Sequence, residues 1–214
     1  MKILRFIGRH FRRGNPRPGE SSERRDPVRQ DLISVYLDLI QKHPQVKALK
    51  TFVETGTFQA ETVRKMERFF DQLITIEIDP KLHAAARAQF PSPKIRYVLG
   101  DSVGELRKIA QECREPAFFY LDAHFSGEGT GKGQQDVPLI EEMQILGKRA
   151  QADCIVVDDL RLFGTNRNQE DWSRITRDSI LQAFGPRDVK FFEQGDKLIL
   201  LRHSEPLPSH SKFS

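Results

Sequence analysis

The sequence predicts a doubly wound α/β domain whose mostly parallel, seven-stranded sheet ends in an antiparallel hairpin. Two observations carry that prediction. Five short apolar runs are separated by segments of helical periodicity, the pattern of parallel strands covered on both faces and joined by crossover helices. Two further strand patterns, 188–194 and 197–202, follow with only Gly195-Asp196 between them, and a two-residue connection forces an antiparallel pair.

Taken in order, Leu32, Ile33, Val35, Tyr36, Leu39 and Ile40 recur at helical spacing until His43-Pro44 stops the pattern, predicting an opening helix that packs on the sheet. The apolar runs are 51–55, 73–78, 95–99, 117–121 and 154–157, with helices expected over 59–70, 80–90, 102–112 and 137–148. The runs are far shorter than the ~20 residues that cross a bilayer, so no transmembrane segment is expected. A chain of 214 residues has room for one full-sized core plus tails. Cys113 and Cys154 sit in no Cys-x-x-Cys or Cys/His cluster, which excludes a zinc site or disulfide framework and points to a reducing cytoplasm.

Charge divides the chain. Overall 34 Lys and Arg face 30 Asp and Glu, but residues 1–30 hold nine basic residues against three acidic ones. The basic surplus therefore belongs to an arm, the rest is slightly acidic, and nucleic-acid binding is not expected. Within the arm, Ile3, Leu4, Phe6, Ile7 and Phe11 lie among arginines, so it could form a basic amphipathic helix against an anionic membrane or a protein partner. Its content of Pro, Gly and Ser equally suits a solvated extension. The expected boundaries are an arm over 1–30, a domain over 31–203 and a tail over 204–214, in a cytoplasmic protein, with peripheral membrane contact left open.

In open α/β sheets ligands bind beyond the carboxyl ends of the strands, so strand-tip residues are the candidates for chemistry. The first tip is Glu54-Thr55-Gly56-Thr57-Phe58, where Gly56 permits a sharp turn that would leave amides facing a ligand. The second carries Glu77, 21 residues after Gly56, a spacing that suits a carboxylate accepting both hydroxyls of a ribose. Asp79-Pro80 suits a helix N-cap. At the third tip Asp101 could cap the next helix, and Ser102 to Glu105 also fits a capping box. The fourth and fifth tips bring Asp122, Asp158 and Asp159 to one edge, and three converging carboxylates invite a hard divalent cation. Asp158 and Asp159 would face opposite ways if the strand continued. No Gly-x-Gly-x-x-Gly follows the first strand and no P-loop is present.

Over residues 50–203 these motifs and the antiparallel ending resemble the class I S-adenosylmethionine-dependent methyltransferases, in particular the metal-dependent O-methyltransferases of the catechol and antibiotic-sugar types. The resemblance implies S-adenosylmethionine held by Glu54, Gly56, Thr57, Phe58, Glu77, Asp101, Ser102 and Asp122, with Asp101 near the adenine amino group. It implies Mg2+ or another divalent ion held by Asp122, Asp158 and Asp159, and methylation of one of two neighbouring hydroxyls on a small molecule or sugar. His124, two residues after the catalytic Asp122, falls where the sugar-modifying relatives carry a general base. The chain departs from the pattern at Phe58 and Ala60, where glycines often stand; the position of His124 is acidic in some relatives, and a lysine serves in the catechol type. The glycine-rich stretch 126–133 with Lys132 is either a lid or a surface loop. The stretch 160–170, with Arg161, Asn166, Arg167 and Asn168, is a candidate substrate reader, and Trp172 either anchors the next helix or touches a ligand. A non-catalytic binding protein and a nicotinamide-dependent oxidoreductase are the alternatives.

Overall fold

A computed structural model describes residues 30–122, 137–167, 170–186 and 188–202. The expected arm over 1–30 (apart from Gln30), the tail, His124, the 126–133 stretch with Lys132, and Asn168 lie outside the described residues.

The chain opens with α1 (Leu32–Lys42), capped by Asp31, whose carboxylate accepts the Ser34 amide at 2.8 Å, and a short α2 (Pro44–Lys47) follows. Then come β1 (Thr51–Thr55), α3 (Glu61–Met66), β2 (Gln72–Glu77), α4 (Pro80–Gln89), β3 (Ile95–Leu99), α5 (Ser102–Glu112), β4 (Ala117–Leu121), α6 (Leu139–Gly147) and β5 (Cys154–Val157). A 3-10 turn, Leu160–Leu162, leads to a small hairpin of β6 (Asn166–Arg167) and β7 (Glu170–Asp171), then α7 (Arg177–Phe184), β8 (Val189–Gln194) and β9 (Lys197–Arg202). Seven strands form one sheet in the order β3-β2-β1-β4-β5-β9-β8. The pairs from β3 through β5 are parallel and both pairs made by β9 are antiparallel, as expected.

Alternation along each strand explains the two-layered core. Phe52, Leu73, Phe118, Tyr120, Val156 and Ile199 point to one face and pack under α1, α3 and α4, while Val53, Ile76, Phe119, Val157 and Leu198 point to the other and pack under α5, α6 and α7. The β8-β9 connection works because Gly195 and Asp196 both take positive φ, 58° and 69°, as a tight hairpin turn requires.

Three helices differ from expectation for local reasons, while the bounds of β2 and β8 shift by a single residue. Helix α3 begins only at Glu61 because Ala60 is left-handed, with φ of 58°. Pro138 occupies the position before α6, which delays that helix to Leu139. Helix α7 had no expected bounds; its start is set by a polar capping box between Thr176 and Ser179, not by a long apolar stripe. Among the described residues no helix is long and apolar enough to cross a membrane.

Candidate functional site

The tips of β1, β2 and β3 form one half of the site. Glu77 is buried, and its two oxygens accept the amides of Phe58 at 2.8 Å and Asp79 at 2.9 Å. Each oxygen of an ionised carboxylate has two lone pairs, so the side chain is held in place with acceptor capacity to spare. Leu99, the register partner of Glu77, is 48% exposed, and Phe58 is 46% exposed. Two exposed apolar side chains beside an anchored carboxylate supply the chemistry that a nucleoside needs, apolar surface for a flat base and an acceptor for a diol.

The loop after β1 departs from expectation. The amides of Gly56 and Thr57 both donate to the Ile76 carbonyl, at 3.0 and 3.1 Å, and that of Phe58 goes to Glu77, so all three bind the neighbouring strand tip instead of facing outward. Glu54 lies fully inside. It accepts the Thr75 hydroxyl at 2.7 Å, and the Thr57 and Thr75 hydroxyls are 2.6 Å apart. Burial pushes the Glu54 carboxyl up to about 8, against the Thr75 hydrogen bond, and the nearby Glu77 charge adds to the rise. Asp79 caps α4 through the amides of Lys81 and Leu82. Asp101, and not Ser102, caps α5, accepting the Gly104 amide at 3.1 Å, while Glu105 pairs with Lys108. Ser102 is buried against Glu142.

The tips of β4, β5 and β9 form the other half. The Asp122 amide donates to the Thr55 carbonyl at 3.2 Å, and its carboxylate lies 3.4 Å from the Tyr120 hydroxyl, which also donates to Asp158. Asp158 accepts Lys197 Nζ at 2.8 Å and the Asp159 amide at 2.7 Å. Asp159 and Asp196 share Arg161, whose backbone amide also donates to Asp196 at 2.7 Å. Asp158 and Asp159 do not diverge to opposite faces. The strand ends at Val157 and Asp159 turns left-handed, φ 57°, so ligand atoms of Asp158, Asp159 and Asp196 all fall within 4.8 Å of one another.

The neighbouring acids Asp122 and Asp158 are driven apart electrostatically. Asp122 keeps some surface contact, yet protein surrounds it closely; burial and the charges of Asp158, Asp159 and Glu54 push its carboxyl well up, with Lys197 opposing. Burial also disfavours ionisation of Asp158, but the Lys197 charge and the hydrogen bonds from Lys197, Tyr120 and the Asp159 amide prevail and hold its carboxyl below the usual range. Burial, followed by these two acids, raises the Tyr120 hydroxyl.

Three carboxylates here, Asp158, Asp159 and Asp196, meet two described cations, Lys197 and Arg161, and Asp122, its carboxyl pushed well up, lies beside them. The remaining negative charge and the all-oxygen donor set fit a hard divalent cation. The structure groups Asp196 with the expected Asp158 and Asp159, and sets Asp122 beside them across the Tyr120 hydroxyl. Trp172 is fixed by its neighbours and also faces a cleft. It is buried, donates to Glu170 at 2.6 Å and stacks on Phe163, and it lines a cleft with Asp122 and Asp158. Arg161 is committed to Asp159 and Asp196, so as a substrate reader it would have to share those partners.

No protein-family model and no curated protein matches the sequence. Solved structures do match. A candidate caffeoyl-CoA O-methyltransferase from Staphylococcus aureus superimposes with a TM-score of 0.53 at 14% identity, over 81% of this chain and 85% of that one. Spermidine synthase from Thermotoga maritima gives 0.50 at 15% identity, over 73% of this chain and 54% of that one. The chain has the class I methyltransferase fold. In a methyltransferase fold the antiparallel β9 is the expected ending, whereas the dinucleotide-binding dehydrogenase sheet stays parallel. The two matched proteins carry different enzyme names, so the fold by itself does not name a reaction.

Sequence reasoning missed Tyr120, Glu142, Asp196 and Lys197. Asp196 was accounted for as a turn residue and Tyr120 as a core strand residue, so neither gave a signal. Lys197, a charge opening an apolar strand, and Glu142, a charge on the apolar stripe of α6, were signals of the kind that exposed Glu77.

Proposed function

We propose that this protein is an S-adenosylmethionine-dependent O-methyltransferase acting on a small molecule or sugar with neighbouring hydroxyls. The observation that carries the reading is the anchored Glu77 beside Leu99 and Phe58, on the same strand-tip edge as the acidic group around Asp158, with β1 and β4 between them. In this arrangement Glu77 binds the ribose diol, Phe58 and Leu99 flank the adenosine, and Asp101 lies toward the adenine. Asp122 and His124 are the side chains proposed to meet the acceptor hydroxyl, and one of them takes its proton as the oxygen displaces S-adenosylhomocysteine from the methyl carbon. Most of the rate enhancement comes from alignment and from fixed charges.

A divalent cation belongs to the same proposal. Asp158, Asp159 and Asp196, with Asp122 beside them, would hold it, and when bound it supplies Lewis-acid activation of a hydroxyl. Lys197 and Arg161 keep these acids oriented by their ion pairs. The basic arm over 1–30 is proposed to contact an anionic membrane surface or a protein partner.

Titration calorimetry with S-adenosylhomocysteine and with NAD, each with and without Mg2+, tests the reading. Binding of S-adenosylhomocysteine alone is the expected outcome. Binding of NAD in its place overturns the reading in favour of an oxidoreductase, and cofactor binding without methyl transfer to any polyhydroxyl compound favours a binding protein.

A further inference from the structure

Helix α6 presents Leu139, Met143 and Leu146 to the core, and Glu142 interrupts that buried stripe. Glu142 is 1% exposed, and its Oε1 has no hydrogen-bond partner among the described residues. A buried carboxylate oxygen left unpaired is costly, so each such group calls for a reason. The hydroxyls of Thr55 and Ser102 approach the carboxyl from the side of β1 and α5. Beyond it, Glu142 lines a small cleft, with a volume of about 10 Å3, together with Leu121, Asp122, Val137, Asp158 and Trp172. A volume of roughly 10–15 Å3 holds one water, so the cleft suits a single water-sized group at the end of a larger molecule.

The chemistry of the walls selects that group. Three carboxylates and an indole ring surround it among the described residues. An anion is repelled, and a neutral hydroxyl brings one donor and no charge to a place with several acceptors. A protonated amine brings three donors and a positive charge, and gains from the aromatic face as well. A divalent ion has a better set of ligands nearby, because Asp158, Asp159 and Asp196 converge within 4.8 Å and Glu142 is outside that group.

We infer that this cleft receives an ammonium group on the methyl acceptor, with Glu142 as the carboxylate that selects it, so that the acceptor is an amino alcohol or amino sugar and not a neutral polyol. The inference rests on the reading above in which the β4-β5 edge receives the acceptor. Burial pushes the Glu142 carboxyl up to about 7, opposed by the hydroxyls of Ser102 and Thr55 and aided by Asp101 and Glu141, which accords with a group that awaits a cationic partner.

The test is calorimetry of the full chain with 2-aminoethanol and with ethylene glycol, near-isosteric probes that differ by ammonium against hydroxyl, at matched ionic strength. The measurement is made with and without S-adenosylhomocysteine. The amine is expected to bind about tenfold or more tightly than the glycol. Glu142→Gln, which keeps the shape and removes the charge, should abolish that preference while leaving S-adenosylhomocysteine affinity within about twofold. Equal binding of the two probes, binding of neither, or a preference that survives in Glu142→Gln overturns the inference. The wild-type comparison stands even if the variant fails to fold. Failure of S-adenosylhomocysteine to bind the wild type strikes the cofactor reading instead, since the amine preference is also measured without it.

Discussion

The two halves of the strand-tip rim solve the problem of a buried acid differently. At β1–β3, Glu77 is held by backbone amides of the loops on either side of it, and Asp79 and Asp101 by helix N-termini. At β4, β5 and β9, Asp158, Asp159 and Asp196 are held chiefly by the side chains of Lys197, Arg161 and Tyr120, with one backbone amide each for Asp158 and Asp196. Backbone donors come with the fold and survive any single substitution except to proline. Side-chain partners can, so the second half should be the more fragile and the more responsive to an added cation.

Lys197 offers the largest way to break that contrast. It is 2% exposed and sits 2.8 Å from an Asp158 that is 6% exposed, so Lys197→Met leaves a buried charge without its partner. A loss of about 3–5 kcal/mol is expected in urea unfolding, with much of it regained in Lys197→Met/Asp158→Asn, where the stranded charge is also removed. A single variant that costs under about 1 kcal/mol would show that the two halves are equally robust.

Glu54 sharpens the comparison through pH, because it is the one acid of the first half whose side chain is turned fully into the core. Unfolded, it ionises near 4.5, and folded it ionises at about 8. The folded state therefore holds the proton more tightly. The contribution is whole below the unfolded value and is lost as pH rises through the folded one, that is, between about 4.5 and about 8. Glu54→Gln, which keeps an acceptor for Thr75, should gain on the wild type by about 3–5 kcal/mol across that interval. Parallel stability profiles for the two proteins would mean that Glu54 is solvated.

How far these features were legible in the sequence depends on whether they are local. Strands inside a sheet covered on both faces read as short apolar runs, so β1, β4, β5 and the antiparallel β9 lie where such runs lie, and the edge strand β3 does too. Glu77 and Asp158 were legible because a charge at the end of such a run needs a partner. The partners were not. Lys197 meets Asp158 only because β9 runs antiparallel to β5, and the Gly56 and Thr57 amides turn to Ile76 only because β2 lies beside β1. Those pairings are properties of neighbouring strands, which no stretch of sequence displays by itself.

A third effect concerns binding. If Glu77 accepts the ribose hydroxyls, Glu77→Gln should weaken S-adenosylhomocysteine by about 1.5–3 kcal/mol in calorimetry, while Asp158→Asn leaves that affinity nearly unchanged and affects Mg2+ response and turnover. Equal losses in both variants would erase the division of the rim into a cofactor half and an acceptor half.

The smallest effect separates two duties of one residue. Asp101 caps α5 by accepting the Gly104 amide, and the proposed cofactor position also places it toward the adenine. Asparagine caps a helix about as well as aspartate, whereas alanine does not, so Asp101→Ala should cost about 1 kcal/mol of stability and Asp101→Asn only a few tenths. Binding should order the variants differently. A hydrogen bond from the adenine amino group to an ionised acceptor is stronger than one to an amide oxygen, and it is weakened already in Asp101→Asn. A fall in S-adenosylhomocysteine affinity with stability preserved in that variant thus isolates the ligand contact. Unchanged affinity leaves Asp101 with its structural duty alone, because what the first half of the rim then offers the adenosine is Glu77 and the apolar faces of Phe58 and Leu99.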